Sequence, residues 1–304
     1  MSENANGGGR SGFTLAIASG KGGTGKTLLA TNLGALAVEN GARVVLADCD
    51  AEAPNDHLFF RCAEPETTAV DSLFASVDAE KCSACGLCRD ACAFGAVRVL
   101  GASAMVFEEL CHGCGLCADV CPEGAITEVS KRIGEVAARR PEGHPGLTLV
   151  TGTLDVGQVK TPAVISAVRD AAESTTPDLV VLDAPPGVAC AAVAAVRGAD
   201  ALLLVTEPTA FGLHDLRLGL ELGRSLGLTM AVVVNRVGTG DAEVEELCRE
   251  FDVPVVARIP FDRRIAEVYA RGDLAISELP DVREALGSVV EALRSLVRDG
   301  AVAR

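Results

Sequence analysis

Short apolar runs alternate with longer segments of helical spacing along the first fifty residues. Residues 13–19 (FTLAIAS) are an apolar run typical of a buried strand. Residues 28–41 carry apolar side chains at helical spacing, with Gly41 as the predicted stop. Residues 43–50 (RVVLADCD) are a second apolar run, which contains two acidic residues at its end. This strand–helix–strand order predicts a βαβ unit and a parallel sheet.

The same alternation resumes at Leu147 and continues towards the C-terminus. Five further apolar runs predict strands, and the segments between and after them have helical spacing. We therefore expect an α/β fold in which a mostly parallel sheet is covered by helices on both faces. The predicted strand segments are 147–153, 178–187, 199–209, 229–238 and 254–262, and the predicted helices are 161–174, 189–196, 211–227, 241–251, 262–271 and 280–298.

The pattern changes between residues 78 and 130, where Cys, Gly and Ala are frequent and no long apolar period exists. Two half-repeats about 29 residues apart lie at 81–99 and 110–129. They predict a small α+β domain inserted into a surface loop of the larger one, where insertions are tolerated. The predicted parts are a disordered lead-in at 1–12, a large domain at 13–77 and 131–304, and a small ferredoxin-like insert at 78–130.

Composition limits the possible partners and compartments. The net charge of −15 disfavours binding to nucleic acid phosphates or anionic lipid. No apolar stretch approaches the roughly 20 residues of a membrane span, and the N-terminus lacks the apolar core of a signal peptide, so we expect a cytoplasmic protein. Eight of the twelve cysteines lie between Cys82 and Cys121. In a reducing compartment such clustering indicates metal binding rather than disulfides.

The strand at 13–19 leads into the sequence GKGGTGKT, which fits the phosphate-loop pattern G-x-x-x-x-G-K-S/T. In such a loop backbone N–H groups surround phosphate oxygens at the start of a helix. Lys26 would reach the β- and γ-phosphates of ATP, and Thr27 would ligate Mg²⁺. The alternative is a glycine-rich turn that binds nothing. The predicted phosphate-binding residues are Gly20, Lys21, Gly22, Gly23, Thr24, Gly25, Lys26 and Thr27.

The additional lysine in the loop, Lys21, gives the sequence KGGTGKT a resemblance to the deviant Walker A motif of the MinD/ParA/Mrp ATPases and of the nitrogenase iron protein. The resemblance implies slow, partner-stimulated ATP hydrolysis. It also implies a dimer, either of two identical chains or with a paralogue, in which Lys21 reaches the nucleotide of the partner subunit. The alternative for Lys21 is a solvated loop lysine.

Further residues look like the switch regions of that family. Asp48, Asp50 and Asn55 resemble switch I, which implies that Asp50 activates the attacking water and that Asp48 lies near Mg²⁺. Asp183 resembles the Walker B aspartate that holds Mg²⁺, and Gly187 the residue that senses the γ-phosphate. The resemblance implies that catalysis depends on Lys21, Lys26 and Asp50. It assigns adenine contacts to Asn235, Pro260 and Asp262.

The cysteine spacing C-x2-C-x2-C-x3-C occurs twice, which is the pattern of bacterial ferredoxins that carry two 4Fe–4S clusters. Three cysteines of one run hold one cluster, and the fourth ligates the other cluster. Zinc is the alternative, because C-x2-C pairs also bind zinc. The predicted ligands are Cys82, Cys85, Cys88 and Cys121 for the first cluster, and Cys111, Cys114, Cys117 and Cys92 for the second.

Four cysteines lie outside these runs, and buried thiols of this kind are usually inert. Cys190 is the exception that we consider, because it lies seven residues after Asp183. In the nitrogenase iron protein, a cysteine at a comparable place binds a cluster between two subunits. A metal role for Cys190 is therefore an alternative to a packed thiol.

Three functions are consistent with these features. The preferred one is a nucleotide switch that passes electrons to a partner metalloenzyme or supports its maturation. The first alternative is an ATP-dependent assembly or carrier protein for an iron–sulfur or metal cofactor. The second is a spatial regulator of the MinD or ParA kind, but its DNA-binding and membrane-binding versions require basic surfaces, which this acidic chain disfavours.

Overall fold

A computed structural model describes residues 12–238, 240–287 and 289–302, which form two compact units. Apart from Gly12, the predicted lead-in lies outside the described residues. No helix among the described residues is long and apolar enough to cross a membrane. The first unit contains 12–67, 136–153 and the described residues from 165 onwards, and the second contains 68–135 and 154–164.

The described residues of the two units together form eleven strands and eleven α-helices. The strands are β1 Phe13–Ala18, β2 Val44–Asp48, β3 Glu66–Val77, β4 Val97–Leu100, β5 Ser103–Val106, β6 Ile126–Arg139, β7 Leu147–Leu154, β8 Leu179–Asp183, β9 Ala201–Thr206, β10 Thr229–Val237 and β11 Val255–Pro260. The helices are α1 Lys26–Glu39, α2 Leu87–Ala91, α3 Leu116–Asp119, α4 Thr161–Glu173, α5 Cys190–Val196, α6 Ala210–Ser225, α7 Asp241–Phe251, α8 Arg263–Ala270, α9 Ala275–Glu278, α10 Pro280–Gly287 and α11 Val289–Val302.

The first unit is built on seven strands in the order β11-β10-β9-β1-β8-β2-β7. The neighbouring strands in this order pair in parallel. The expected α/β fold with a mostly parallel sheet is therefore confirmed. In the register of β2 and β8, Asp48 pairs with Asp183, so the two acidic residues lie side by side at the carboxyl edge of the sheet.

Helices cover both faces of this sheet. Successive side chains of a strand point to opposite faces, so apolar side chains on both faces are buried against helices. Leu203 and Val205 of β9 belong to a core shared with α1 and the C-terminal helices. Leu204, on the opposite face, lies against α6, where a Cβ built on Gly219 would approach it to 3.0 Å. The small side chain at Gly219 allows α6 to pack closely on the strand.

The second unit contains most of β3 and of its neighbour β6, the antiparallel pair of β4 and β5, and the short helices α2 and α3. It encloses all of the predicted insert, 78–130, and it begins ten residues earlier. The sequence analysis predicted neither β3 nor β6. Only Val70, Phe74 and Ala75 of the twelve residues in β3 are buried, so the strand lacks the apolar run on which the prediction relied.

We expect the hydrogen bonds of Asn32 to stabilise the first unit measurably. Asn32 is fully buried, its Nδ2 donates to the Leu28 carbonyl at 2.7 Å, and its Oδ1 accepts from the Ile276 amide at 2.9 Å. Asn32→Leu leaves the Ile276 N–H without a partner and should lower the free energy of unfolding by about 1–3 kcal/mol. Urea denaturation measures this loss. Asn40→Leu, at an exposed site, is the control, and an equal loss in both variants would contradict the assignment.

Candidate nucleotide site and cysteine-lined cavities

The predicted phosphate loop, residues 20–27, follows β1 and continues into the first two residues of α1. Gly25 has a φ of +102°, and a Cβ there would lie 2.5 Å from Asn235 Nδ2, so this position requires glycine. A Cβ built on Gly22 or Gly23 would meet no atom within 4 Å. The loop is open on that side, where the first N–H groups of α1 can bind an anion.

Asn235 braces the loop from the end of β10. Its Nδ2 donates to the Thr24 carbonyl at 2.7 Å, and its Oδ1 accepts from the Arg236 amide at 2.9 Å. Asn235 also lines the cavity next to the loop. The predicted adenine contact of Asn235 therefore stays a prediction. In the structure the same side chain holds the phosphate loop through hydrogen bonds.

The start of the loop is closely packed. A Cβ on Gly20 would lie 2.2 Å from the Cβ of Asp215 on α6. Gly187, the predicted γ-phosphate sensor, has its N–H bonded to the Ser19 carbonyl at 2.9 Å. This hydrogen bond joins the segment after β8 to the phosphate loop.

Thr27 and Asp183, the predicted magnesium ligands, are in direct contact. The Thr27 hydroxyl donates to Asp183 Oδ2 at 2.7 Å, and Asp183 Oδ1 has no hydrogen-bond partner within the described chain. Burial raises the pKa of Asp183 to about 6, although the Thr27 hydrogen bond and the Lys26 charge oppose the shift. Lys26 is itself buried beside the loop.

The carboxyl group of Asp48 holds the predicted switch I segment, residues 50–56, by accepting hydrogen bonds from the backbone amides of that segment. Its Oδ1 accepts from the Asp50 amide at 3.1 Å, and its Oδ2 accepts from the amides of Asn55 at 2.8 Å and Asp56 at 3.1 Å. Burial, followed by the charge of Asp183, raises the pKa of Asp48 to about 7. The conformation of residues 50–56 thus depends on one carboxyl group, and the predicted position of Asp48 near Mg²⁺ stays a prediction.

Asp56 is a site residue that the sequence analysis missed. It is fully buried, and no backbone or hydroxyl donor of the described residues reaches its carboxyl oxygens, which interact with the carboxyl group of Asp183. Burial, together with the charges of Asp48 and Asp183, raises the pKa of Asp56 well above its usual value. No sequence pattern indicates this burial, because an Asp beside Asn55 in a polar loop is ordinarily exposed.

The residues in this region fit a magnesium ion. Mg²⁺ prefers oxygen ligands and carboxylates in particular. The hydroxyl of the half-buried Thr27 and the carboxyl oxygens of the buried Asp183 and Asp56 are such ligands. A divalent cation would offset the cost of burying several carboxylates.

A cavity of about 610 Å³ adjoins the loop, a volume within the range for small-molecule sites. Of the predicted residues it brings together five of the phosphate loop and five others, whereas Gly20, Lys21, Thr24 and Gly187 do not line it; the lining residues are Gly22, Gly23, Gly25, Lys26, Thr27, Asp50, Asn55, Asn235, Pro260 and Asp262. Phe261 and Tyr269 also line it and were not predicted as site residues. The Tyr269 ring packs against Phe59 with 4.9 Å between the ring centroids.

Lys21 lies outside the residues that line this cavity. Its Nζ is 3.6 Å from Glu207 Oε2, and Arg236 Nη1 is 2.7 Å from Glu207 Oε1. Glu207 is buried, so its charge is neutralised by two cations. Within one chain, Lys21 is therefore paired with a carboxylate rather than directed at the nucleotide cavity.

The eight cysteines of the two repeats line two separate cavities in the second unit. The first cavity is lined by Cys82, Cys85, Cys88 and Cys121, and the second by Cys92, Cys111, Cys114 and Cys117. Each cavity takes three cysteines from one repeat and the fourth cysteine from the other. This is the grouping that the spacing predicted. Among the described residues, no three His, Cys, Asp or Glu side chains form a group that could hold a single metal ion.

Backbone amides face the sulfur atoms of the first cavity. The Ala104 amide donates to Cys82 Sγ and the Ala125 amide to Cys121 Sγ, both at 3.3 Å. Hydrogen bonds from the amides of Ala104 and Ala84 lower the pKa of Cys82, which favours the thiolate that ligates metal. By contrast, burial raises the pKa of Cys88.

The second cavity is closed on one side by an aromatic stack. Phe94, which follows Cys92, stacks on His112, which follows Cys111, with 3.6 Å between ring centroids and 15° between planes. Both rings line the cavity. The stack joins the loop that carries the exchanged cysteine to the loop that carries the first cysteine of the second repeat.

Of the cysteines outside the two runs, Cys49 and Cys248 are buried, Cys62 is half-buried and Cys190 is exposed at the start of α5. Packed thiols were expected at these positions. Cys49 and Cys248 are packed in this sense, and burial raises the pKa of both. The exposed Cys190 is available to a partner or to a metal.

Residues 15–276 match the CobQ/CobB/MinD/ParA nucleotide binding domain family. The chain is 29% identical over 283 residues to the uncharacterized protein MJ0578 of Methanocaldococcus jannaschii, which covers 93% of this chain and 97% of the relative. It is also 29% identical over 146 residues to NBP35, a cytosolic Fe-S cluster assembly factor of Eremothecium gossypii, but there the match covers 40% of this chain and 43% of that protein.

The fold is similar to that of a solved structure, the septum site-determining protein MinD of Pyrococcus horikoshii complexed with Mg-ADP. The TM-score is 0.54 at 21% identity, and the similarity covers 94% of this chain and 95% of that one. At this level of identity the likeness shows the fold alone.

The three buried carboxyl groups predict the pH dependence of the metal-free protein. The folded pKa values of Asp48 and Asp183 are raised to about 7 and about 6, so the folded state binds these protons more tightly than the unfolded state does. The stabilisation that these groups contribute is therefore greatest at low pH and is lost as the pH rises through these values. Between pH 5 and pH 8 we expect a loss on the order of 2–4 kcal/mol.

Urea unfolding in the presence of a chelator measures this dependence. Asp56→Asn removes one of the buried acids and should make the dependence shallower, whereas Asp71→Asn, at an exposed site, should leave it unchanged. A wild-type stability that does not change between pH 5 and pH 8 would be inconsistent with three buried protons.

Proposed function

The chain belongs to the CobQ/CobB/MinD/ParA nucleotide-binding family, and on that premise we propose that it is a dimeric ATP-hydrolysing switch that carries two 4Fe–4S clusters. In this switch the bound nucleotide controls electron transfer. The electrons go to a partner metalloenzyme or support the maturation of that enzyme. The observation that carries the proposal is the pair of cavities, each lined by four cysteines from both repeats, in a chain that also has a phosphate loop.

The nucleotide part of the proposal follows from the residues around the loop. Lys26 binds the β- and γ-phosphates, and Thr27 and Asp183 hold Mg²⁺. Asp50 lines the cavity at the end of the segment held by Asp48, where it orients the attacking water. Catalysis in such a site consists of positioning and charge neutralisation.

The cysteine part of the proposal follows from the ligand grouping. Four thiolates around a cavity suit a four-iron cluster, in which each iron takes one protein ligand. Amide donors to Cys82 and Cys121 are the type of contact that tunes cluster potentials. When bound, such clusters accept and release single electrons. The residues present therefore fit two clusters.

The chain itself offers a connection between the two functions. Residues 50–56, which Asp48 holds, continue through a single 3-10 turn at Asp56–Phe59 into β3 and the second unit. The segment 154–164 also returns to the second unit directly after β7. Movement of switch I on ATP binding or hydrolysis has a short covalent route to the cysteine unit.

A second function has one observation in its favour. Part of the chain resembles NBP35, a protein named as an Fe-S cluster assembly factor. An assembly or carrier protein needs a site that releases its cargo, and the exposed Cys190 is the candidate that we consider. In this alternative, two copies of Cys190 in a dimer would hold the transferred cluster or metal.

Nucleotide control of electron transfer is tested directly with the anaerobically reduced protein. We expect ATP and ADP to give different rates of reoxidation by a one-electron acceptor, because the two nucleotides hold the switch segments differently. Lys26→Ala should lose ATP hydrolysis and the difference between nucleotides while keeping its iron. Identical rates with ATP, with ADP and without nucleotide would refute gating.

The cross-repeat ligand grouping is tested by iron content and by electron paramagnetic resonance. The reconstituted wild type should hold about eight iron atoms per chain, and Cys92→Ser and Cys121→Ser should each disturb a different cluster. Cys248→Ser, at a buried position in the first unit, should keep full content. If Cys92→Ser disturbed the cluster of its own repeat, the exchange would be wrong.

The same measurement separates the two functions. In the preferred function Cys190→Ser keeps the iron content and the nucleotide response of the wild type. In the assembly or carrier function it loses iron per dimer and the ability to transfer it to an apo acceptor protein.

A further inference from the structure

Lys160 lies in the segment 154–164 and is held firmly within the second unit. Its Nζ donates to the Leu73 carbonyl at 2.7 Å and to Ser72 Oγ at 3.0 Å, and it lies 3.6 Å from the centroid of the Phe74 ring. Two hydrogen bonds and a cation–π contact therefore fix the ammonium group of a half-buried side chain.

This ammonium group lies against the loop between Cys111 and Cys114. A Cβ built on Gly113 would lie 2.3 Å from the Leu73 carbonyl oxygen and 3.3 Å from Lys160 Nζ. Gly113 has a φ of +65°, and its counterpart in the first repeat, Ala84, has a φ of +54°. The loop conformation is thus shared, and the glycine is needed only where β3 and Lys160 press on the loop.

The contact makes the two cysteine cavities electrostatically different. The second cavity is lined by Glu128, whose Oε2 would lie 3.3 Å from a Cβ on Gly115, and it has Lys160 beside its first loop. The first cavity is lined by Glu123 and Gly86, and a Cβ on Gly86, the counterpart of Gly115, would lie 3.2 Å from the guanidinium of Arg89, which is paired with Asp90. The loop of the first cavity holds Ala84 at the position that Lys160 approaches in the second loop.

We propose that Lys160 is a redox-tuning residue of the second cavity, a positioning role that rests on the proposed function because it requires both clusters. Reduction adds one negative charge to a cluster, and a fixed positive charge nearby stabilises the reduced state. Lys160 therefore raises the reduction potential of the cluster held by Cys92, Cys111, Cys114 and Cys117.

The experiment is a potentiometric titration of the reconstituted full chain, monitored by electron paramagnetic resonance. The wild type should show two one-electron steps. In Lys160→Met one of the two steps should move downwards by about a tenfold change in the equilibrium ratio of reduced to oxidised cluster, which is about 59 mV for one electron. The other step should not move. Lys160→Arg keeps the charge and should restore most of the wild-type potential.

Two further variants keep the result interpretable. Glu128→Gln removes the acidic group at the second cavity and should move the same step upwards, which tests the assignment even if Lys160→Met fails to bind its clusters. Lys131→Met removes a more distant cation, 5.9 Å from the Phe74 ring and paired with Glu108, and should move neither step.

The outcomes separate this inference from the proposed function. A wild type that holds no clusters after reconstitution refutes the proposed function itself. Two intact clusters whose potentials are unchanged by Lys160→Met, or a Lys160→Met shift confined to the step that Glu128→Gln leaves unmoved, overturn the role of Lys160 and leave the proposed function standing.

Discussion

The carboxyl groups of Asp48, Asp56 and Asp183 are buried at the carboxyl edge of the sheet, and the cost of burying their charge has to be offset locally. Parallel pairing of β2 with β8 places Asp48 and Asp183 side by side. Asp48 is satisfied by three backbone amides, whereas Asp183 has one hydroxyl donor and Asp56 has none within the described chain. Protons or a bound cation must neutralise the remaining buried charge. Cation binding and the conformation of the predicted switch I segment therefore depend on the same carboxyl groups.

Most of the sheet could be predicted because its strands are buried on both faces. Such strands appear as continuous apolar runs, as in LVVLD before Asp183, and the helices between them keep a clear period. β3 and β6 could not be predicted, because few of their side chains are buried and no apolar run marks them. Whether a strand could be predicted therefore depends on how many of its side chains are buried and not on its length.

The same reasoning separates the site residues that motifs reveal from those that they do not. Lys26, Thr27 and Asp183 belong to local patterns that have a chemical reason for their spacing. Asp56, Lys160 and the bracing contact of Asn235 depend on residues far away in the chain, so no local pattern contains them. The cysteines are a special case, because the spacing within each run also contains the rule that the fourth ligand is exchanged.

The exchange of the fourth cysteine has an energetic consequence. Neither repeat lines a four-cysteine cavity alone, so in the proposed function folding of the second unit and loading of both clusters would be coupled. The first unit would have a similar dependence, because a bound nucleotide and its cation would complete a set of buried charges. Any coupling between them is reciprocal. If ATP favours the reduced clusters by a given factor, reduction must favour ATP binding by the same factor. Coupling between the two sites therefore requires only one conformational equilibrium that both ligands shift.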